Sequence, residues 1–407
     1  MPPCYTEIMT CEVAVMNRRG IALASDSAVT LGDSKKIYHT AEKLFLISPS
    51  LPVGIMTFGC ADMMDVPWET IIKMYARKLG SGTFSALEEY AASFLSFIEE
   101  SSALFPSQKQ AECVKRTVGA MWSGYRGELE DRIGESSGMT QAGTRKALAD
   151  IIHEDQAHFK RYRRFDGFEA SYGPQIVDAH TSDLDDLETA IFEGIKLTPD
   201  LRRNLRDIVE LMFGKEWIHP AERSGVVIAG MGEEEPFPAV LEYCVGTVAS
   251  GRLRYLKEES CRVGVDVEAS VIPFAQRQTI DTIIAGIHPE LMVKNFHEVD
   301  RLVARVVGRA SKAKGKKLVE QFKEDFEQYV AERYDGPFMA AVSGLPRQDL
   351  AKMAEALVSL TAFVMRMTAD QEETVAEPID VAILSKGDGF TWVKHKDLIR
   401  EAGRLAL

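Results

Sequence analysis

A threonine, an aspartate and a serine stand at the ends of two short apolar runs near the start of the chain. The runs are residues 11–15 and 21–24, and the break between them, Asn17-Arg18-Arg19-Gly20, is polar and closes on glycine. That is the pattern of an antiparallel hairpin. A turn centred between Arg18 and Arg19 pairs residues whose numbers sum to about 37, which sets Thr10 across from Ser27 and beside Asp26 at one sheet edge. Thr10 follows Met9, and a small residue after methionine lets aminopeptidases remove that methionine where translation starts there. The freed α-amine has an unperturbed pKa of about 8, so one residue supplies both nucleophile and base. A plain edge hairpin that begins with threonine is the other reading.

Residues 41–47, Ala-Glu-Lys-Leu-Phe-Leu-Ile, resume a strand, and another covers 53–62 after the Ser-Pro-Ser-Leu-Pro turn. At this point the chain resembles the proteasome β-subunit family of N-terminal nucleophile (Ntn) hydrolases, including its bacterial proteasome-type peptidases. The matching features are Thr10, Gly20, Ala24-Ser25-Asp26-Ser27, Thr30, Gly32, Lys43 and the Met-x-x-Gly-x-Ala-Asp of 56–62. Spacing from Thr10 to Gly32 fits the family pattern without a gap. Lys43 needs a one-residue insertion before it.

The resemblance implies Thr10 as nucleophile, Asp26 and Lys43 as a charge pair beside it, and an oxyanion hole of backbone N–H near Phe58 and Gly59. An ammonium near Thr10 favours the uncharged amine and the developing alkoxide, while Asp26 offsets the cost of placing that cation in a partly dry site. One backbone donor on the oxyanion is worth roughly 3 kcal/mol in such chemistry. Taken singly, Asp26 is an ordinary turn residue and Lys43 an ordinary solvated lysine; their joint spacing favours the functional reading. The pocket before the scissile bond would be lined by Val29, Met56 and Cys60. None is charged, which implies cleavage after small-to-medium apolar residues.

The same resemblance implies a homo-oligomeric ring or stack and a peptide or unfolded-protein substrate, and leaves open an ATPase as feeding partner. Two departures stand out. Where the family has Gly-Ser-Gly the chain has Pro273-Phe274-Ala275, and Phe274 cannot supply the serine hydroxyl. A later Asp and Ser of the family fall near Glu372 and Val375, so Glu372, or its neighbour Glu373, would be the supporting carboxylate and the serine is missing.

The chain has 407 residues, whereas a subunit of that family needs little over half as many, so helical insertions are expected. Residues 1–9 read as a short propeptide or an over-extended start, 10–106 as the first part of the core, 107–223 as a helical insertion and 224–407 as the second part, with another insertion near 289–346. Helical periodicity covers two segments within 68–106, then 114–133, 147–159, 184–195 and 201–213, the last opened by Thr198-Pro199-Asp200. Strands return at 225–230 and 239–245. Residues 270–276 lead into a helix at 279–287, a further helix covers 347–367, and 378–384 with 389–393 form a closing pair.

Composition excludes several classes. No run of about 18 apolar residues could span a bilayer, and the first residues lack the apolar core of a signal peptide, so a cytoplasmic protein without a membrane partner is expected. Six cysteines lie scattered without metal-like spacing; Cys4 as nucleophile would lose the spacing to Asp26. His153 and His158 are five apart, about 140° round a helix rather than the i, i+4 of zinc helices, so neither a metal nor another cofactor is expected. The basic run Lys160-Arg161-Tyr162-Arg163-Arg164-Phe165 sits in a chain of net charge −13, the wrong background for nucleic acid. The lysines of 310–317 lack a Gly-Lys-Ser or Gly-Lys-Thr ending for nucleotide.

The expected fold is thus α+β, a four-layer αββα sandwich with helical insertions. The expected function is a threonine peptidase. A catalytically inactive scaffold and a helical partner-binding module on a dead hydrolase core are the alternatives.

Overall fold

The hairpin at the start of the chain places its residues on two packed faces at once. In the computed structural model, which describes residues 10–31, 36–38, 41–48, 51–134, 140–307, 312–368 and 378–396, β1 (Cys11–Asn17) pairs with β2 (Gly20–Ser25) from Asn17↔Gly20 to Glu12↔Ser25. This is the register expected from the turn at Arg18-Arg19. Gly20 has φ +152°, and a Cβ there would meet the Leu384 carbonyl oxygen at 2.6 Å, so only glycine fits the close approach. Every residue of both strands is buried, which explains why the runs are continuously apolar instead of alternating.

The strands that follow are β3 (Val29–Leu31), β4 (Lys36–Tyr38), β5 (Leu44–Leu46), β6 (Val53–Gly59), β7 (Asp62–Met63) and β8 (Val66–Pro67). Helices come next: α1 (Trp68–Leu79), α2 (Leu87–Glu100), α3 (Ser107–Gly134), α4 (Gln141–Phe159), α5 (Tyr172–Ala179), α6 (Thr181–Ile191) and α7 (Pro199–Gly214). Strands β9 (Ser224–Gly230), β10 (Ala239–Ala249), β11 (Arg252–Arg262) and β12 (Ala269–Ala275) lead to α8 (Gln278–Ala285), α9 (Pro289–Val307), α10 (Lys312–Val330), α11 (Gly336–Gly344) and α12 (Arg347–Met367). The described chain closes with β13 (Asp380–Ser385) and β14 (Gly389–Lys394).

The fold is α+β. One five-stranded sheet runs β12-β1-β2-β13-β14 and the other β11-β10-β9-β6-β5; all their pairings are antiparallel. Ala14, Met16, Leu23, Phe274 and Leu384 of the first sheet share one apolar cluster with Met56, Phe58, Val227 and Val240 of the second. The opposite face of the first sheet, Val13, Val15 and Ala24, packs with Leu350, Ala354 and Val358 of α12. The opposite face of the second, Ile55, Val226 and Ile228, packs with Ile71 and Tyr75 of α1 and Phe94 of α2.

Helices α3 to α7 hold a core of their own around Trp122, Leu148, Ile152, Leu205 and Met212, joined to the sheet at Cys244 and Ala249 of β10. Thr198 caps α7 as expected, its hydroxyl accepting from the Leu201 N–H at 3.3 Å. Strands β3, β4, β8 and β11 and helices α5 and α11 lie outside the sequence expectations. Helix α5 lies where none was read, and β11, rich in Arg, Lys and Glu, forms a strand because it is the outer edge of its sheet, where one side meets solvent.

Candidate active site

Thr10, the residue before β1, and Glu12 are two apart and face the same way, along the side that continues through Ala14 and Met16 into the cluster between the sheets. Thr10 is buried, 8 % exposed. Its hydroxyl donates to Glu12 Oε2 at 3.1 Å, and its carbonyl accepts from the Gln276 N–H at 3.1 Å.

Asp26, just past the end of β2, folds back onto β1. Its Oδ1 accepts from the Cys11 N–H at 3.1 Å and its Oδ2 from the Ala28 N–H at 2.9 Å. Lys43, just before β5, reaches between the carboxylates: Nζ is 2.7 Å from Asp26 Oδ1 and 3.3 Å from Glu12 Oε1, with only 5 % of the residue exposed. Burial by itself would lower the lysine's pKa, but Asp26 and Glu12 outweigh it and hold the ammonium above its usual value. Two carboxyl groups thus face one ammonium. Glu12 is raised to about 8, mainly by burial; Lys43 pulls against that rise and Asp26 adds to it.

Lys43 is also tied to the strand that carries Phe58 and Gly59, since its carbonyl accepts from the Thr57 N–H at 2.8 Å. Gly59 ends β6 at φ +85°, the left-handed region in which glycine is at ease. The Phe58 ring stacks on Phe274, centroids 5.9 Å apart, and Phe274 is the residue opposite Glu12 in the β1–β12 register. The next residue, Ala275, sits at φ +58° opposite Cys11, a conformation disfavoured for a residue with a Cβ. Backbone strain of this kind collects next to functional sites.

A second buried ion pair stands behind the first. Lys396 Nζ lies 2.6 Å from Asp380 Oδ2 and donates to Ser27 Oγ at 2.7 Å and to the Ala41 carbonyl at 2.5 Å. Ser27 in turn donates to the Pro378 carbonyl at 2.6 Å. The lysine therefore fixes the residue after Asp26 and the segment leading to Lys43.

Thr10, Asp26 and Lys43 are thus brought together. Of the residues expected to line a pocket, Met56 and Cys60 point elsewhere. Met56 is fully buried in the cluster between the sheets, and Cys60 turns its thiol to the Ala221 carbonyl at 3.3 Å. Val29 lies in β3 with its side chain outside the described part, and Glu372 with the whole of residues 1–9 falls outside the described residues. His153 and His158 have separate partners, Asn204 at 3.3 Å and Tyr162 at 3.0 Å. Among the described residues no group of three or more His, Cys, Asp or Glu could hold a metal ion, and no helix is long and apolar enough to cross a membrane.

No family model matches the chain. No curated protein matches it either. Solved structures do. A Gly-1 mutant of Anbu from Hyphomicrobium sp. strain MC1 is 11 % identical over 95 % of this chain and 86 % of that one, with a TM-score of 0.30. Anbu from the same strain is 9 % identical over 95 % and 88 %, with a TM-score of 0.29. Similarity of this size places no residue and assigns no activity. The resemblance to proteasome β-subunits read from Thr10, Asp26, Lys43 and the 56–62 motif is thereby corrected: no family model supports it, and the structural likeness found is to Anbu chains. The motif residues are short and local, whereas a family match needs agreement along the whole core, and at 273–275 the chain departs from the pattern.

Glu12, Asp380 and Lys396 were missed in the sequence. Glu12 carried a signal, a lone acid inside an otherwise apolar strand. Asp380 and Lys396 carried none: they pair with each other, but the residues that Lys396 holds, Ser27 and Ala41, lie 369 and 355 positions away.

Proposed function

We propose that the chain hydrolyses amide bonds of peptides with Thr10 as an N-terminal nucleophile. The observation that carries this reading is the continuous buried chain of contacts from the Thr10 hydroxyl through Glu12 and Lys43 to Asp26, at 3.1, 3.3 and 2.7 Å, at one end of the cluster between the sheets. Cleavage between Met9 and Thr10 frees the α-amine. The amine takes the Oγ proton as Oγ attacks the substrate carbonyl, then returns it to the leaving nitrogen. Water hydrolyses the resulting ester. Lys43 stabilises the developing charge, Asp26 holds Lys43, and Glu12 fixes the hydroxyl's direction. The turn at Gly59 supplies backbone N–H for the oxyanion.

The α-β-β-α layering, the division into core and insertions and a homo-oligomeric state belong to the same reading. A catalytically silent scaffold is the second reading, favoured by one observation: Phe274, which has no hydroxyl, stands opposite Glu12. Intact mass together with turnover of fluorogenic peptides separates the two. Hydrolysis by a form that begins at Thr10 is expected; full activity with residues 1–9 still attached would defeat the proposal.

A further inference from the structure

Helices α9 and α10 form an antiparallel hairpin that packs mainly on itself. Phe296 of α9 meets Phe322 and Phe326 of α10, with centroids 6.2 and 5.6 Å apart, and Gly315 lets the helices close near the tip, where a Cβ would stand 3.3 Å from Val303. Yet α9 has no buried residue. Leu291, Leu302 and Val306 of α9 are 51, 55 and 85 % exposed, and Leu318, Phe322 and Tyr329 of α10 are 55, 39 and 58 % exposed.

At about 100° per residue, Leu291, Leu302 and Val306 fall within one arc of α9, next to the arc that carries Phe296. Leu318, Phe322 and Tyr329 do the same on α10, next to Phe326. In both helices the exposed arc precedes the inward one in the sense of the helix. Because the helices run in opposite directions, this sets both arcs on the same side of the hairpin. The result is an apolar stripe along one side of the hairpin, interrupted on α9 by Asn295; an isolated monomer has no reason to present such a stripe to water.

Charge names the occupant. Residues 301–307 and 312–319, towards the tip, contain six Lys and Arg and no Asp or Glu; residues 289–300 and 320–332, the base half, contain eight Asp and Glu against two Lys. We infer that this face docks a second copy of the chain about a two-fold axis, the hairpins antiparallel so that the basic tip of each lies on the acidic base of the other. A two-fold contact requires a patch complementary to itself, and a hairpin with opposite charge at its two ends and an apolar stripe between meets that requirement. The face is about 28 Å long and about 20 Å wide, roughly 600 Å² a side. That is below the usual 800 Å² or so of a stable interface, the size of a weak, transient contact. The inference does not depend on the hydrolase reading.

Sedimentation velocity of the full chain at micromolar concentration tests it. A concentration-dependent dimer weakened by salt is expected. Leu302→Asp with Val306→Asp should raise its dissociation constant by about tenfold or more, with circular dichroism unchanged because both sites are exposed. A tip variant (Arg305→Glu, Lys314→Glu) and a base variant (Glu298→Lys, Asp325→Lys) should each remain monomeric alone and associate when mixed, which keeps the test valid if the aspartates disturb folding. A wild type that stays monomeric, an association untouched by these changes, or a monomer that instead binds anionic lipid vesicles through Leu302 and Val306 would overturn the inference.

Discussion

The Thr10 hydroxyl donates to Glu12 Oε2 at 3.1 Å, and both groups are buried at the open end of the same strand. The carboxyl group therefore sets the direction of the hydroxyl before any substrate arrives. Glu12→Gln keeps the shape but replaces the titratable carboxyl group that accepts from the hydroxyl and faces Lys43. Peptide hydrolysis should fall roughly tenfold to a hundredfold, and the variant should lose whatever part of the pH–rate profile Glu12 supplies. Unchanged turnover with an unchanged profile would mean that Glu12 does not position Thr10.

Thr10→Ala should reduce hydrolysis by roughly three orders of magnitude or more and leave thermal unfolding near that of the wild type, because the methyl and hydroxyl it removes lie at the edge of the core. Thr10→Ser should keep measurable activity. Wild-type turnover by Thr10→Ala would assign the nucleophile elsewhere.

Stability should fall as pH rises from about 4.5 towards 8, in part through Glu12, whose folded pKa is raised to about 8, and Glu242, which burial raises to about 7. In that window the unfolded chain has released these protons and the folded chain retains them, so raising the pH favours unfolding. Lys43, held above its usual value, contributes stability that is fully present across this range and lost only in strong alkali. Melting temperatures measured at intervals of pH check the sign, and Glu242→Gln should flatten the slope. A Glu242→Gln slope as steep as the wild type's would remove that residue from the account.

Lys396→Met should destabilise the fold by about 3 to 5 kcal/mol, because it leaves the buried Asp380 without its cation and releases Ser27 and Ala41. Denaturant melts give the stability. Activity should fall in the same variant, since Ser27 and Ala41 hold the segments that bear Asp26 and Lys43. A change below about 1 kcal/mol, the scale of exposed ion pairs, would show that the pair is solvated.

Gly225→Ala tests the support of Phe58. A Cβ at Gly225 would overlap the Phe58 ring, which is confined on its other side by Phe274. Overpacking of this kind costs about 1 to 3 kcal/mol, and the displaced ring should also disturb the backbone at Gly59. A variant as stable and as active as the wild type would show that the ring can move aside freely.

The sequence by itself determined the first hairpin and its register, because the two-residue turn at Arg18-Arg19, Gly20 and two apolar runs are local signals that leave one pairing. It also determined the helices flanked by clear caps, such as α7 behind Thr198, and the closing pair β13–β14. From that register Asp26 could be set beside Thr10 without a structure. It did not determine the family, since a few matching positions do not constrain the packing of 407 residues. Only the tertiary structure decided that Glu12 joins Thr10 to Lys43, that Lys396 reaches Ser27 across 369 positions, and that Met56 belongs to the core between the sheets instead of a pocket. A strand's two faces are chemically equivalent in sequence until something packs on them. A buried charge gives no sign of its partner until the chain brings one within about 3 Å, where the attraction can offset the loss of water.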